Sequence, residues 1–183
     1  MQHTNEHIDI LLQRCKSGEQ SAQLEIYKRY YRAMYNTALR ILNNSYDAED
    51  MMQESFLIAF TKLSTFKGEV TFGSWLKRIV INKCLTQLKK NKRFAEVKLE
   101  VAREEEVELE PVDYSSVKSD TVLKKINELK ENYRVALTLH LIEGFDYEEV
   151  SVVMQITNQN SRTTISRAKD KLRKLLITEM QLN

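Results

Sequence analysis

Apolar residues along this chain recur at spacings of three and four, the period of helices that bury one face. Ile8 to Lys16 forms a first short helix, broken by Ser17-Gly18-Glu19. A long helix follows, with Leu24, Tyr27, Tyr31, Tyr35, Ala38, Leu39 and Leu42 in register, and Asn43-Asn44-Ser45 ends it. Ser45 or Asp47 is placed to cap a third helix running to about Leu63, whose apolar face is Ala48, Met51, Met52, Phe56, Ala59, Phe60 and Leu63. After a loop at Lys67-Gly68-Glu69, a fourth helix spans about Phe72 to Lys90 through Trp75, Leu76, Ile79, Val80, Leu85 and Leu88. Four such segments close one bundle.

The periodicity fades from Arg93 to Ser119, where Glu104-Glu105-Glu106 and Pro111 predict a flexible acidic linker. It resumes near Asp120. Val122, Ile126 and Leu129 mark one helix, and Val135, Leu137, Leu139, Leu141 and Ile142 mark the next, ended by Gly144. Asp146 with Glu149 forms a capping-box pattern at the start of a helix to Met154, and a last helix runs from about Gln159 to Ile177. The expected fold is all-α: a bundle over 1–92, a linker over 93–119 and a second bundle over 120–183.

Composition agrees with this reading, since the 183 residues hold one proline and four glycines. The net charge of +2 conceals an uneven distribution. Residues 1–92 carry 14 basic and 9 acidic side chains, 93–121 carry 4 and 9, and 122–183 carry 10 and 8. Two basic ends therefore flank an acidic middle. Cys15 and Cys84 lack metal-type neighbours, which predicts two ordinary thiols and no disulfide or zinc site. Met1 to Asp9 is polar, and no apolar run approaches the ~20 residues of a membrane span. A soluble, cytoplasmic protein without membrane insertion is expected.

The last two helices have the layout of a helix-turn-helix, whose second helix enters the DNA major groove. Ser161, Ile165, Ala168, Leu172 and Leu175 form the core stripe of that helix. Arg162, Thr163, Thr164, Ser166, Arg167 and Lys169 then face outward near its N-terminal half, where base-reading side chains sit. Arginine donates two hydrogen bonds to guanine, and threonine offers a hydroxyl or a methyl group. Lys169, Lys171, Arg173 and Lys174 suit phosphates better than bases. The turn position often held by glycine is Gln155; either its backbone is left-handed, at a cost of roughly 1 kcal/mol, or the turn is rearranged.

A second motif is Asp47-Ala48-Glu49-Asp50-Met51-Met52-Gln53-Glu54-Ser55-Phe56. With Ala48, Met52 and Phe56 inward, Asp50, Gln53, Glu54 and Leu57 make an outward strip able to pair with a partner protein's arginines. Together these motifs resemble an extracytoplasmic-function sigma factor of bacterial RNA polymerase. The Asp47 run resembles the family's polymerase-binding region 2.2. Phe66-Lys67-Gly68, then Phe72 to Ile79, then Asn82 resemble regions 2.3 and 2.4, and Tyr133 to Leu172 resembles region 4.2. The resemblance covers both bundles. The chain departs from the family at Leu129-Lys130-Glu131-Asn132, where a proline-containing turn is usual, and at Asn160-Ser161, where Thr-Val is commoner.

The resemblance implies an initiation factor with no catalytic chemistry and no cofactor or metal. By the family's pattern Asp47, Asp50, Gln53, Glu54 and Phe56 match the helix that binds the β′ clamp helices of core polymerase, with Phe56 alternatively a core residue. Phe66 to Asn82 matches the segment that reads the minus-ten element. There a flipped base enters a pocket formed by the loop before the Trp75 helix and by Asn82. Lys67, Phe72, Lys77, Arg78, Asn82 and Lys83 are the minus-ten candidates, and Trp75 is assigned to core packing. Arg162, Thr163, Ser166 and Arg167, with Thr164 and Lys169 beside them, match the reader of the minus-thirty-five element. The linker resembles region 3.2, which threads toward the polymerase active centre. The partners implied are core RNA polymerase (β′ clamp helices and β subunit), promoter DNA and an anti-sigma factor.

A competing reading is a helix-turn-helix regulator that binds DNA without core polymerase. An enzyme has less to stand on. There is no Gly-rich phosphate loop and no Cys/His pair at useful spacing, and His3, His7 and His140 are isolated.

Overall fold

The computed structural model describes residues 7–94 and 118–182. The expected linker, with Glu104–Glu106 and Pro111, lies mostly outside the described residues. The chain divides into two compact units, Met1–Asn91 and Lys92–Asn183. All regular structure among the described residues is helical.

Unit 1 holds α1 (Ile8–Lys16), α2 (Gln20–Leu42), α3 (Ser45–Thr61) and α4 (Phe72–Phe94). The α1–α2 corner is tied by Arg14, whose Nε donates to Glu19 at 2.8 Å; that guanidinium holds the Glu19 carboxyl down at about 2. The buried seam of α2 differs from the one expected. Ala22, Ile26, Met34, Thr37, Ala38 and Ile41 are buried, whereas Leu24 and Tyr31 are exposed. The tyrosines form a flank beside the seam: Tyr27 stacks on Tyr31 at 5.8 Å and meets Phe56 at 4.8 Å. A ring with a polar tip suits such a boundary, while alanines in the seam let helices approach closely.

Asn43 ends α2 in the left-handed conformation (φ 52°), which asparagine tolerates. Asn44, and neither Ser45 nor Asp47, caps α3: its Oδ1 accepts from the Tyr46 and Asp47 amides at 2.9 and 3.1 Å. Helix α3 closes at Thr61, before the expected Leu63, which is buried from a 3-10 turn over Leu63–Thr65. Thr71 opens α4, accepting from the Ser74 amide at 3.2 Å. Gly73 allows a close approach, since a Cβ there would lie 3.0 Å from the Tyr30 ring.

Unit 2 holds α5 (Ser119–Glu128), α6 (Glu131–Leu137), α7 (Tyr147–Met154) and α8 (Asn158–Leu182). The helix expected to run regularly to Ile142 instead widens into a π turn over Thr138–Ile142, with Glu143 N donating to Thr138 O at 3.0 Å. That widening leaves Leu141 exposed, while Leu139 is fully buried. Gly144 takes the expected left-handed terminus at φ 79°. The core joins Ile126, Leu129, Val135, Leu137, Leu139, Val150, Ile165, Ala168, Leu172 and Leu176. Arg134 is buried among them; desolvation pushes its pKa down, against the pull of Glu131. Helix α8 extends past Ile177, and its seam passes through Leu176, leaving Leu175 half-buried. A 3.6-residue repeat needs a second four-residue step after Leu172.

Candidate nucleic-acid and polymerase interfaces

Asn44 anchors α3 so that Ala48, Met52 and Phe56 point inward, and Asp50, Gln53, Glu54 and Leu57 stand in solvent. Asp47 is half-buried in the first turn, where its charge favours the helix N-terminus. Gln53 Nε2 donates to Glu49 Oε1 at 3.1 Å, which leaves Asp50 and Gln53 on a rigid, accessible ridge. Of its two readings, contact or core, Phe56 takes the core. It is 2% exposed and packs against Tyr27 and Phe60, so it supports the strip from beneath.

Helix α4 presents Arg78 and Asn82 to solvent, one turn apart on the same face, with Lys67 exposed in the preceding loop. Lys77 is half-buried. Lys83 forms an ion pair with Glu54, joining the α3 strip to the α4 face. Phe72, expected at DNA, is instead core: 3% exposed, with ring centroids 5.4 Å from Tyr30 and 5.7 Å from both Phe66 and Trp75. Trp75 and Phe66 are half-buried in this cluster, 5.3 Å apart, in keeping with a packing role. The cluster fixes the loop against the start of α4.

In unit 2 the capping box closes as expected. Asp146 Oδ1 accepts from the Glu149 amide at 2.8 Å, and Glu149 Oε2 accepts from the Asp146 amide at 3.1 Å. Gln155 adopts the left-handed conformation at φ 58°, turning the chain between α7 and α8. Thr157 starts α8 by accepting from the Asn160 amide at 3.1 Å. Ser161, Ile165 and Ala168 are fully buried, so Arg162, Thr163, Ser166 and Arg167 face outward together, and Thr164 sits half-buried at their edge. The Thr163 hydroxyl donates to Gln159 O at 2.9 Å, leaving it an acceptor toward a ligand.

Lys169 is turned away from this face. It is half-buried, and its Nζ lies 3.3 Å from His140 Nε2. Two residues of this region carry no sequence-level signal. Tyr147 lies under the Arg162 guanidinium, 5.1 Å from Cζ to ring centroid, and Asn158 Oδ1 accepts from Arg162 Nε at 3.0 Å. Their roles arise from contact across the turn, which spacing does not reveal. Among the described residues no group of three or more His, Cys, Asp or Glu side chains is placed to hold a metal ion. None of the described helices is long and apolar enough to cross a membrane.

Two helical units, one with an exposed acidic ridge and one with a helix-turn-helix, define a sigma-type transcription initiation factor, a class that is not enzymatic. Residues 26–94 match the Sigma-70 region 2 family, and residues 119–172 match Sigma-70 region 4. The chain belongs to the sigma-70 family as an ECF RNA polymerase sigma factor. It is 28% identical over 176 residues to the ECF RNA polymerase sigma factor SigW of Bacillus subtilis, covering 90% of this chain and 94% of that protein. It is 29% identical over 171 residues to the ECF RNA polymerase sigma-E factor of Haemophilus influenzae, covering 87% and 90%. In fold it is similar to the sigma factor RpoE of Bartonella quintana, solved in complex with the anti-sigma factor NepR. The TM-score is 0.56 at 24% identity, over 83% of this chain and 94% of that one.

Proposed function

We propose that unit 1 docks on core RNA polymerase through the α3 ridge and engages the minus-ten element through the loop before α4 and the exposed side of α4. Unit 2 then engages the minus-thirty-five element through Arg162, Thr163, Ser166 and Arg167 on α8. The observation that carries this reading is the exposed ridge of Asp50, Gln53, Glu54 and Leu57. A regulator acting through its helix-turn-helix alone has no use for such a ridge. Acidic and amide groups there match basic side chains of a partner helix, with Leu57, 69% exposed, as an apolar anchor. Asp50 and Gln53 are the contacts expected to matter most.

On DNA, the minus-ten step is strand capture. Arg78 and Lys67 hold the backbone, and Asn82 hydrogen-bonds a base taken from the stack. Each unit binds weakly alone; linkage through polymerase makes the second contact intramolecular and raises overall affinity. An anti-sigma partner is the expected regulator, by likeness to the relative solved with one. Such a role belongs to the cytoplasm, where core polymerase and promoter DNA meet.

The test is reconstitution with core polymerase. Asp50→Ala with Gln53→Ala should abolish co-purification with core and transcription from a mapped promoter while leaving the fold intact. Full binding by the double variant refutes the docking assignment. Promoter-specific DNA binding that needs no core polymerase favours the regulator.

A further inference from the structure

Arg162 is the first outward side chain of α8 that can span a guanine edge, and an exposed arginine ordinarily samples many rotamers. Here its guanidinium is held twice. Asn158 Oδ1 accepts from Nε at 3.0 Å, and the Tyr147 ring lies 5.1 Å below Cζ. Tyr147 is held in turn. It is the first residue of α7, set by the Asp146–Glu149 capping box. Its ring stacks on the His140 imidazole at 4.9 Å and 27°.

His140 cannot turn freely either. Phe145 O can only accept, so Nδ1 donates to it at 2.8 Å; the Lys169 ammonium can only donate, so Nε2 accepts from it at 3.3 Å. The imidazole is therefore fixed at both nitrogens. A continuous support runs from the π turn through His140 and Tyr147 to the DNA-facing guanidinium.

We infer that Tyr147 is a positioning residue for minus-thirty-five recognition, aiming the Arg162 guanidinium at a guanine edge through a cation–π contact. The inference rests on the reading of α8 as the minus-thirty-five helix. An exposed cation–π contact of about 0.5–1 kcal/mol corresponds to about two- to five-fold in binding. That loss should fall on discrimination at the one base pair Arg162 contacts.

The experiment uses holoenzyme reconstituted from core polymerase and the full chain, competing a mapped promoter against its minus-thirty-five point variants. Arg162→Ala should erase preference at one base pair. Tyr147→Leu should lower preference at that same pair two- to five-fold, Tyr147→Phe should retain it, and Tyr147→Leu should add nothing in the Arg162→Ala background. Ring-fluorinated phenylalanines at position 147 keep shape while draining the ring's negative face, so preference should fall stepwise with fluorination even where Tyr147→Leu fails to fold. Equal preference across the fluorinated series overturns the inference, as does uniform weakening on all sequences. If Arg162→Ala changes no base preference, the reading of α8 itself fails and the inference falls with it.

Discussion

Ser161→Ala should stabilise unit 2. Ser161 is fully buried one turn into α8, on the seam that packs against α6 and α7, and its Oγ has no hydrogen-bond partner. An unsatisfied buried hydroxyl costs about 1–3 kcal/mol, because the water bonds it made in the unfolded chain are not replaced. Alanine also has the better helix propensity, by about 0.5 kcal/mol. The one-atom void left behind costs a few tenths of a kcal/mol at about 24 cal/mol per Å³. The net gain is about 1–3 kcal/mol, which for a domain of this size raises the midpoint by roughly 4–8 °C per kcal/mol. Thermal and urea unfolding followed by far-UV circular dichroism measure it. Trp75, the single tryptophan, reports unit 1 alone by fluorescence and serves as the internal control. A higher urea midpoint with an unchanged m-value is the expected result. Destabilisation by 1 kcal/mol or more would mean that the hydroxyl is satisfied, and would refute the argument.

Three further outcomes are expected. Gln155→Gly should stabilise unit 2 by about 0.5–1 kcal/mol, since glycine adopts φ 58° without the Cβ penalty; a lower urea midpoint counts against a left-handed residue there. Phe56→Ala should cost about 3–5 kcal/mol and lose polymerase binding only through unfolding, whereas Gln53→Ala should keep its stability within about 0.5 kcal/mol and lose binding. Equal stability of the two variants by tryptophan fluorescence would return Phe56 to the interface. Finally, burial pushes the Cys84 thiol from 9.0 up to about 12. The unfolded chain ionises first, so stability present below pH 9 falls by about tenfold in the folding equilibrium per pH unit between those values. Cys84→Ala should remove that part of the pH dependence of unit 1, and an unchanged slope contradicts it.

The local chemistry of this chain was legible in one dimension. Helix punctuation at Gly144 and the Asp146–Glu149 box depend on residues a few positions apart, which sequence displays directly; at Gln155 the sequence left two turns open, and the structure takes the left-handed one. The Ser161–Ile165–Ala168 stripe likewise follows from the helical period. Where two registers compete, periodicity alone does not choose. On α2 the line through Leu24 and Tyr31 is as regular as the line through Ala22, Ile26 and Met34; packing against α3 selects the one with smaller residues. Phe56 and Phe72 sit inside motifs that bind partners in the family, yet both rings are spent on the core.

Sequence by itself determined which segments are helices, the stops at Gly144 and the Asp146–Glu149 box, the charge on each face and the family, because these follow from local propensity, period and motif. Tertiary structure decided which aromatic residues are core, that Glu54 pairs with Lys83, that Lys169 turns toward His140, and that Tyr147 lies under Arg162. Each of those contacts joins side chains from different helices, and their geometry is set by how the helices pack.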